Sequence, residues 1–183
     1  PVMRTQTSAI QYRYMKEFVE SGKSLENEII AIVSPGKVFR NEATDATHES
    51  QFHQMEGFVV GKNITMGDLK GTLLEFFKRF IGPDADVRLR PSFFPFVEPG
   101  VEVDFSCPFC SGTGCKICKR SGWIEFMGAG LIHPNVLREG GVDPDEYSGF
   151  AFGFGLNRLV MIKYGIPTMK YFQNPDVRFL SQF

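Results

Sequence analysis

The chain has 183 residues, 20 basic against 21 acidic for a net charge of −1, and a hydrophobic fraction of 43%. That length supports one domain with a substantial core. The balanced charge excludes a protein whose whole surface is a basic nucleic-acid footprint, so any RNA contact must be local or shared with a partner.

No apolar run approaches the roughly 20 residues of a membrane helix, and no secretory leader is visible. The expectation is a cytoplasmic protein with no membrane contact. In chain order, Ser8-Ala9-Ile10-Gln11 has the form of a capping box. It predicts an amphipathic helix with Ile10, Tyr14, Met15 and Phe18 on one face. IIAIVS (29–34) reads as a strand, and Pro35-Gly36 as a turn. Val38, Phe39 and Arg40 then end a strand, a polar run follows, and QMEGFVV resumes strand character. Thr65-x-x-Asp68 opens a helix bearing Leu69, Leu73, Phe76, Phe77 and Phe80, stopped at Gly82-Pro83. VRLRP, VEVDFS and GWIEFMGAGLI alternate as strands do. The glycine-rich run GFGLNR passes from a strand into a helix that ends at Gly165, and DVRFLSQF predicts a last short helix. Consecutive strands with helices between them give an α+β class with an antiparallel sheet. No internal repeat is read.

Arg40 and Glu42 fall on one side of their strand by alternation, and a guanidinium fork there could clamp a phosphate. His48 could add charge to outer phosphates, and Phe52 on the return strand could stack on a purine. The plainer reading is a surface hairpin with an Arg40–Glu42 ion pair and Phe52 in the core. Arg158 sits in the first turn of the helix after the glycine-rich strand. A dinucleotide fold is a poor fit there, because the last position of the glycine pattern is arginine and no βαβ context surrounds it.

All four cysteines, Cys107, Cys110, Cys115 and Cys118, fall in one C-x2-C-x4-C-x2-C run. Two such pairs around a glycine-rich turn could furnish a tetrahedral four-cysteine zinc site, a structural staple rather than a catalytic metal. The spacer is shorter than in common ribbons, and Gly112 and Gly114 would let two knuckles fold back on each other. Disulfides or free thiols are the alternatives.

The order R-x-E, loop, H-x-x-x-F and distant G-x-G-x-x-R resembles motifs 2 and 3 of class II aminoacyl-tRNA synthetases. The finer text is RTQTS (4–8), FHQMEG (52–57), RPSFFPFVEPGVEVD (90–104) and YSGFAFGFGLNR (147–158). It is similar to the catalytic domain of the bacterial phenylalanyl-tRNA synthetase alpha-subunit family. The resemblance implies an antiparallel sheet flanked by helices, with residues 1–183 forming a partial catalytic domain. Motif 1 and an N-terminal coiled coil would be absent, and a zinc-knuckle-like hairpin would be inserted at about 106–122. A similar cysteine-rich insertion occurs in some bacterial members, and its text also resembles the zinc repeats of DnaJ-type chaperones.

By that resemblance, Arg40 and Arg158 would be the catalytic cations, and ATP would be bound by Arg40, Glu42, His48, Phe52 and Arg158. Arg40 would hold the α-phosphate, and Phe52 with Arg158 would sandwich adenine. Gln6, Ser8, Gln54 and Glu56 would hold the ammonium end of L-phenylalanine, with N-capping as the alternative for Ser8. Phe94 and Phe96 would meet its ring edge-on, with Val97 and Ala151 as the floor; ordinary core is the alternative for the pair. Glu98 would ligate Mg²⁺. Glu102 and Asp104 are weaker candidates, with a salt bridge as the alternative. The implied activity is ATP-dependent activation of phenylalanine and its transfer to tRNA(Phe), with a beta subunit in an alpha2-beta2 assembly. The alternatives are a class II relative for another amino acid such as phosphoserine, and a non-catalytic synthetase-like module that binds nucleotide, RNA or protein.

Overall fold

A computed structural model describes residues 2–41, 49–173 and 176–183. The element order is α1 (Ala9–Glu20), β1 (Ile30–Phe39), β2 (Gln51–Gly61), α2 (Met66–Phe80), β3 (Val87–Phe94) and β4 (Val97–Ser106). It continues with β5 (Trp123–Ile132), α3 (Pro134–Glu139), β6 (Ser148–Gly155), α4 (Leu156–Tyr164) and α5 (Val177–Leu180), with a 3-10 turn at Met169–Phe172 before α5. The strands form one six-stranded sheet in the order β1-β2-β6-β5-β4-β3, and the β3–β4, β4–β5 and β5–β6 pairs are antiparallel. The expected α+β class with a cysteine-rich hairpin between two strands is what forms.

The chain divides into two compact units. One comprises Ser8–Val33 and Glu56–Phe154, the other Pro1–Thr7, Ser34–Met55 and Gly155–Phe183. In the larger unit, β6 carries Phe150, Phe152 and Phe154 on one side and Ala151 on the other, as strand alternation requires. On the phenylalanine side, Phe77 of α2 stacks on Phe105 at 4.7 Å, and Phe126 lies 5.2 Å from Phe154. On the other side, Ala151 joins Met15, Phe18, Phe58, Val97, Ile132 and Leu137 in one buried cluster. Helix α2 begins where Thr65-x-x-Asp68 predicted a helix start, and the two side chains form a complete capping box there.

In the smaller unit, β1 does not turn at Pro35-Gly36 but runs on to Phe39, which corrects the expected turn. β1 is an edge strand, where proline's missing N–H costs no ladder bond. The N-terminal segment lies alongside: Phe39 N–H donates to the Arg4 carbonyl at 2.8 Å, and the Arg4 guanidinium donates to the Lys37 carbonyl at 2.9 and 3.0 Å. A Cβ at residue 36 would strike that guanidinium, so Gly36 serves close packing rather than a reversal. Helix α4 ends at Gly165, left-handed at φ 65°, as its sequence predicts.

Candidate active site and cysteine knuckle

In the smaller unit, Arg40 follows the last residue of β1, and its N–H donates to the carbonyl of Ser50, the residue before β2, at 2.8 Å. Its guanidinium lies over the Phe52 ring, 5.0 Å from the centroid. Arg40 also donates to Gln54 Oε1 at 3.3 Å and, through Nε, to the Thr5 carbonyl at 3.4 Å. Long bonds on an exposed side chain restrain it weakly, and an exposed cation–π contact contributes only about 0.5–1 kcal/mol. Among the described residues, the contacts that hold this fork are therefore weak ones. Glu42 and His48 lie outside the described residues. Gln6 is exposed. Arg158, third residue of α4, is exposed as well, and its helix is tied to β2 because the His53 N–H donates to Asn157 Oδ1 at 2.7 Å. Asn157 is 7% exposed; nothing in sequence periodicity marked it as that tie.

In the larger unit, Glu56 on β2 is buried. Ser8 Oγ donates to its Oε2 at 2.9 Å, and Gln11 Nε2 donates to its Oε1 at 2.8 Å. This corrects the capping box read at Ser8–Gln11: α1 opens at Ser8 without a side-chain cap. Both polar side chains reach across to β2 instead, where a buried carboxylate is a stronger acceptor than a solvated helix end offers donors. Gln11 is the residue that the sequence reading missed, since S-x-x-Q reads equally well as a cap. Phe94 ends β3 and Phe96 lies in the turn before β4. Their rings stack on each other at 6.2 Å with 24° between planes. Both pack against the buried cluster containing Val97 and Ala151. A side chain at residue 128 would run into the Phe94 ring at 2.7 Å, so Gly128 leaves the space in which that ring lies.

Farther along β4 the acids separate by environment. Glu98 is exposed, and among the described residues no group of three potential metal ligands includes it. A magnesium ion held there would draw its other oxygens from phosphates and water, as that ion commonly does. Asp104 is 1% exposed and takes Arg90 through both oxygens, at 2.7 and 2.9 Å, with Arg88 at 2.8 Å. Burial pushes its carboxyl up, but the two guanidiniums more than reverse this and leave it below the ordinary value. Asp104 is therefore the salt-bridge case. Burial, then the charge of Glu125, raises Glu102.

The four cysteine sulfurs all lie within 4.8 Å of one another. Cys107 to Cys115 and Cys110 to Cys118 are each 3.8 Å, far beyond a disulfide bond of about 2.05 Å. The hairpin also holds a repeated spacing that the sequence reading passed over: the Cys-x2-Cys-x3-Gly pattern of residues 107–114 returns at 115–122. Gly112 and Arg120 donate to the carbonyls of Cys107 and Cys115. Gly114 and Gly122 donate to the sulfurs of Cys110 and Cys118 at 3.2 and 3.3 Å. The glycines that let the knuckles meet are Gly114 and Gly122, each with φ positive and its Cα facing backbone of the opposite knuckle. Gly112 has open space. Backbone N–H groups of Cys115 and Gly122 hold the Cys118 thiol down at about 6, whereas burial pushes Cys107 up to about 12. Sulfurs gathered this closely and met by backbone donors fit a tetrahedral thiolate site for a zinc-like ion, which would cross-link the hairpin when bound.

A six-stranded sheet, an arginine just after its edge strand β1, and a second arginine in the first turn of the helix after a glycine-rich strand are features of a class II synthetase core. The chain belongs to the family described as tRNA synthetases class II core domain (F), whose profile it matches over residues 1–183. It is 54% identical over 182 residues to the phenylalanine–tRNA ligase alpha subunits of Enterococcus faecalis and of Bacillus subtilis, covering all of this chain and 51% of each relative. The same-named protein of Limosilactobacillus reuteri is 55% identical over 182 residues. The chain thus spans about half the length of the curated relatives it matches.

Proposed function

We propose that this chain is the catalytic part of a phenylalanine–tRNA ligase alpha subunit, activating L-phenylalanine with ATP and passing it to tRNA(Phe). The observation that carries this reading is the whole-chain likeness to alpha subunits so named. The phenylalanine carboxylate is ionised at neutral pH, so it attacks the α-phosphorus without a general base and pyrophosphate leaves in line. Catalysis is positioning and charge stabilisation.

Arg40 holds the α-phosphate, a role its loosely held fork supports. Leaving Phe52 uncovers a ring face for adenine, with Arg158 on the other side; Glu42 and His48 complete ATP binding. Gln6, Ser8, Gln54 and Glu56 receive the substrate ammonium, with Gln11 orienting the Glu56 carboxylate. Phe94, Phe96, Val97 and Ala151 accept the ring, and Glu98 would supply an oxygen to Mg²⁺, which neutralises phosphate charge when bound. The four cysteines hold structural zinc. A beta subunit completes an alpha2-beta2 assembly in the cytoplasm; among the described residues no helix is long and apolar enough to cross a membrane.

The test is amino-acid-dependent ATP–pyrophosphate exchange by the chain, alone and with its beta partner, using phenylalanine, tyrosine and phosphoserine. Phenylalanine alone should support exchange, weakly without the partner. Exchange driven only by phosphoserine would overturn the substrate assignment. Absence of ATP binding in both states would favour a non-catalytic module.

A further inference from the structure

The cysteine hairpin carries side chains that neither sulfur clustering nor core packing uses. Phe109 is 48% exposed and Ile117 is 60% exposed. Each stands two residues after the first cysteine of its knuckle, so the local repeat places them equivalently. In the second knuckle Lys116, Lys119 and Arg120 are exposed, and residues 107–122 contain no acidic side chain. Four thiolates on a dication would add two negative charges, so the three cations keep the loaded hairpin positive. The chain as a whole carries −1. Lys119 and Arg120 also adopt left-handed backbone, at φ 51° and 64°. Glycine or asparagine would meet that geometry at lower cost. The turn therefore does not account for two cations there.

We propose that the two knuckle tips are a docking surface for single-stranded RNA. Phe109 and Ile117 receive unstacked bases, and Lys116, Lys119 and Arg120 neutralise the flanking phosphates. Unpaired bases offer faces that stack on an aromatic ring whatever their sequence. The alternative occupant, a protein, needs about 800 Å² of complementary surface per partner. Two exposed apolar side chains on a hairpin whose three charged residues are all cations suit base and phosphate better. The proposal stands apart from the catalytic reading, since no residue assigned to ATP or phenylalanine takes part.

The experiment is fluorescence anisotropy of a labelled mixed-sequence 12-nucleotide RNA titrated with the zinc-loaded chain between 50 and 200 mM salt. The comparison probes are the same sequence as a duplex and an acidic peptide of equal charge. Single-stranded RNA should bind most tightly, with a log–log salt slope of about −2 from three phosphates at ~0.7 each. Phe109→Ala should weaken binding about five-fold or more. Phe109→Leu keeps the bulk without the aromatic face, and reports stacking should the alanine variant lose metal. K119N/R120G, whose substitutes accept left-handed backbone, should flatten the slope by about 1.4. None of these variants should change zinc content or phenylalanine-dependent pyrophosphate exchange. No RNA binding, tighter binding of the acidic peptide, or RNA affinity untouched by all three variants would overturn the proposal.

Discussion

Gln11→Met isolates the contact that the structure adds to the site. Methionine preserves length and bulk but cannot donate to Glu56. The lost bond is 2.8 Å long, and both residues are 3% exposed, so water cannot readily replace the amide. A hydrogen bond to a buried charged group contributes about 1.5–3 kcal/mol. At roughly 2–4 °C per kcal/mol for a chain of this size, the melting temperature should fall by about 3–12 °C. Ser8→Ala removes the companion bond, but Ser8 is only half-buried, so water can re-solvate Oε2 and the loss should be nearer ~1 kcal/mol. The double variant should lose more than the sum, because the carboxylate then keeps neither donor. Differential scanning calorimetry of the four proteins checks the order. If Ser8→Ala cost as much as Gln11→Met, or if Gln11→Met melted with the parent, the account of Glu56 would be wrong. Under the proposed function, Gln11→Met should also raise KM for phenylalanine more than it lowers kcat.

Arg40→Ala should reduce pyrophosphate exchange about 100- to 1,000-fold, the usual effect of removing one donor to developing charge, while the melting temperature stays within about 2 °C. In the hairpin, Gly112→Ala should incur only the left-handed penalty of about 1–2 kcal/mol. Gly114→Ala would also drive Cβ to 2.8 Å from the Arg120 carbonyl oxygen. Chelator competition should therefore find zinc held far more weakly in the second variant, and equal affinities would refute the packed-knuckle geometry. Asp104 has its folded value below the ordinary 3.8, so its contribution to stability is complete above about pH 4 and is lost as pH falls through the folded value. Melting curves between pH 2 and 6 should show Asp104→Asn with a shallower acid loss than the parent.

Helix and strand types were legible wherever a local rule acts alone. Thr65 and Asp68 close a capping box through contacts three residues apart, and Gly165 ends α4 through its own backbone angle. Failures occurred where a distant group overrode the local one. Ser8 and Gln11 match a helix cap in sequence, but the Glu56 carboxylate, 48 and 45 residues away, takes both donors. Pro35-Gly36 matches a turn, yet an edge position tolerates the proline and the Arg4 side chain occupies the room that the glycine leaves. Asp104 and Glu98 look alike along β4, and only the placement of Arg88 and Arg90 on β3 separates an ion-paired acid from an exposed one.

The sequence by itself determined the α+β class, the family, and the candidate residues, because motif spacing and strand alternation are properties of neighbours along the chain. Tertiary structure alone decided that Arg40 rests on Phe52, that Gln11 serves Glu56, and that Gly114 and Gly122 rather than Gly112 let the knuckles meet. Those outcomes depend on which donor reaches which acceptor across the fold, a competition that sequence distance does not encode.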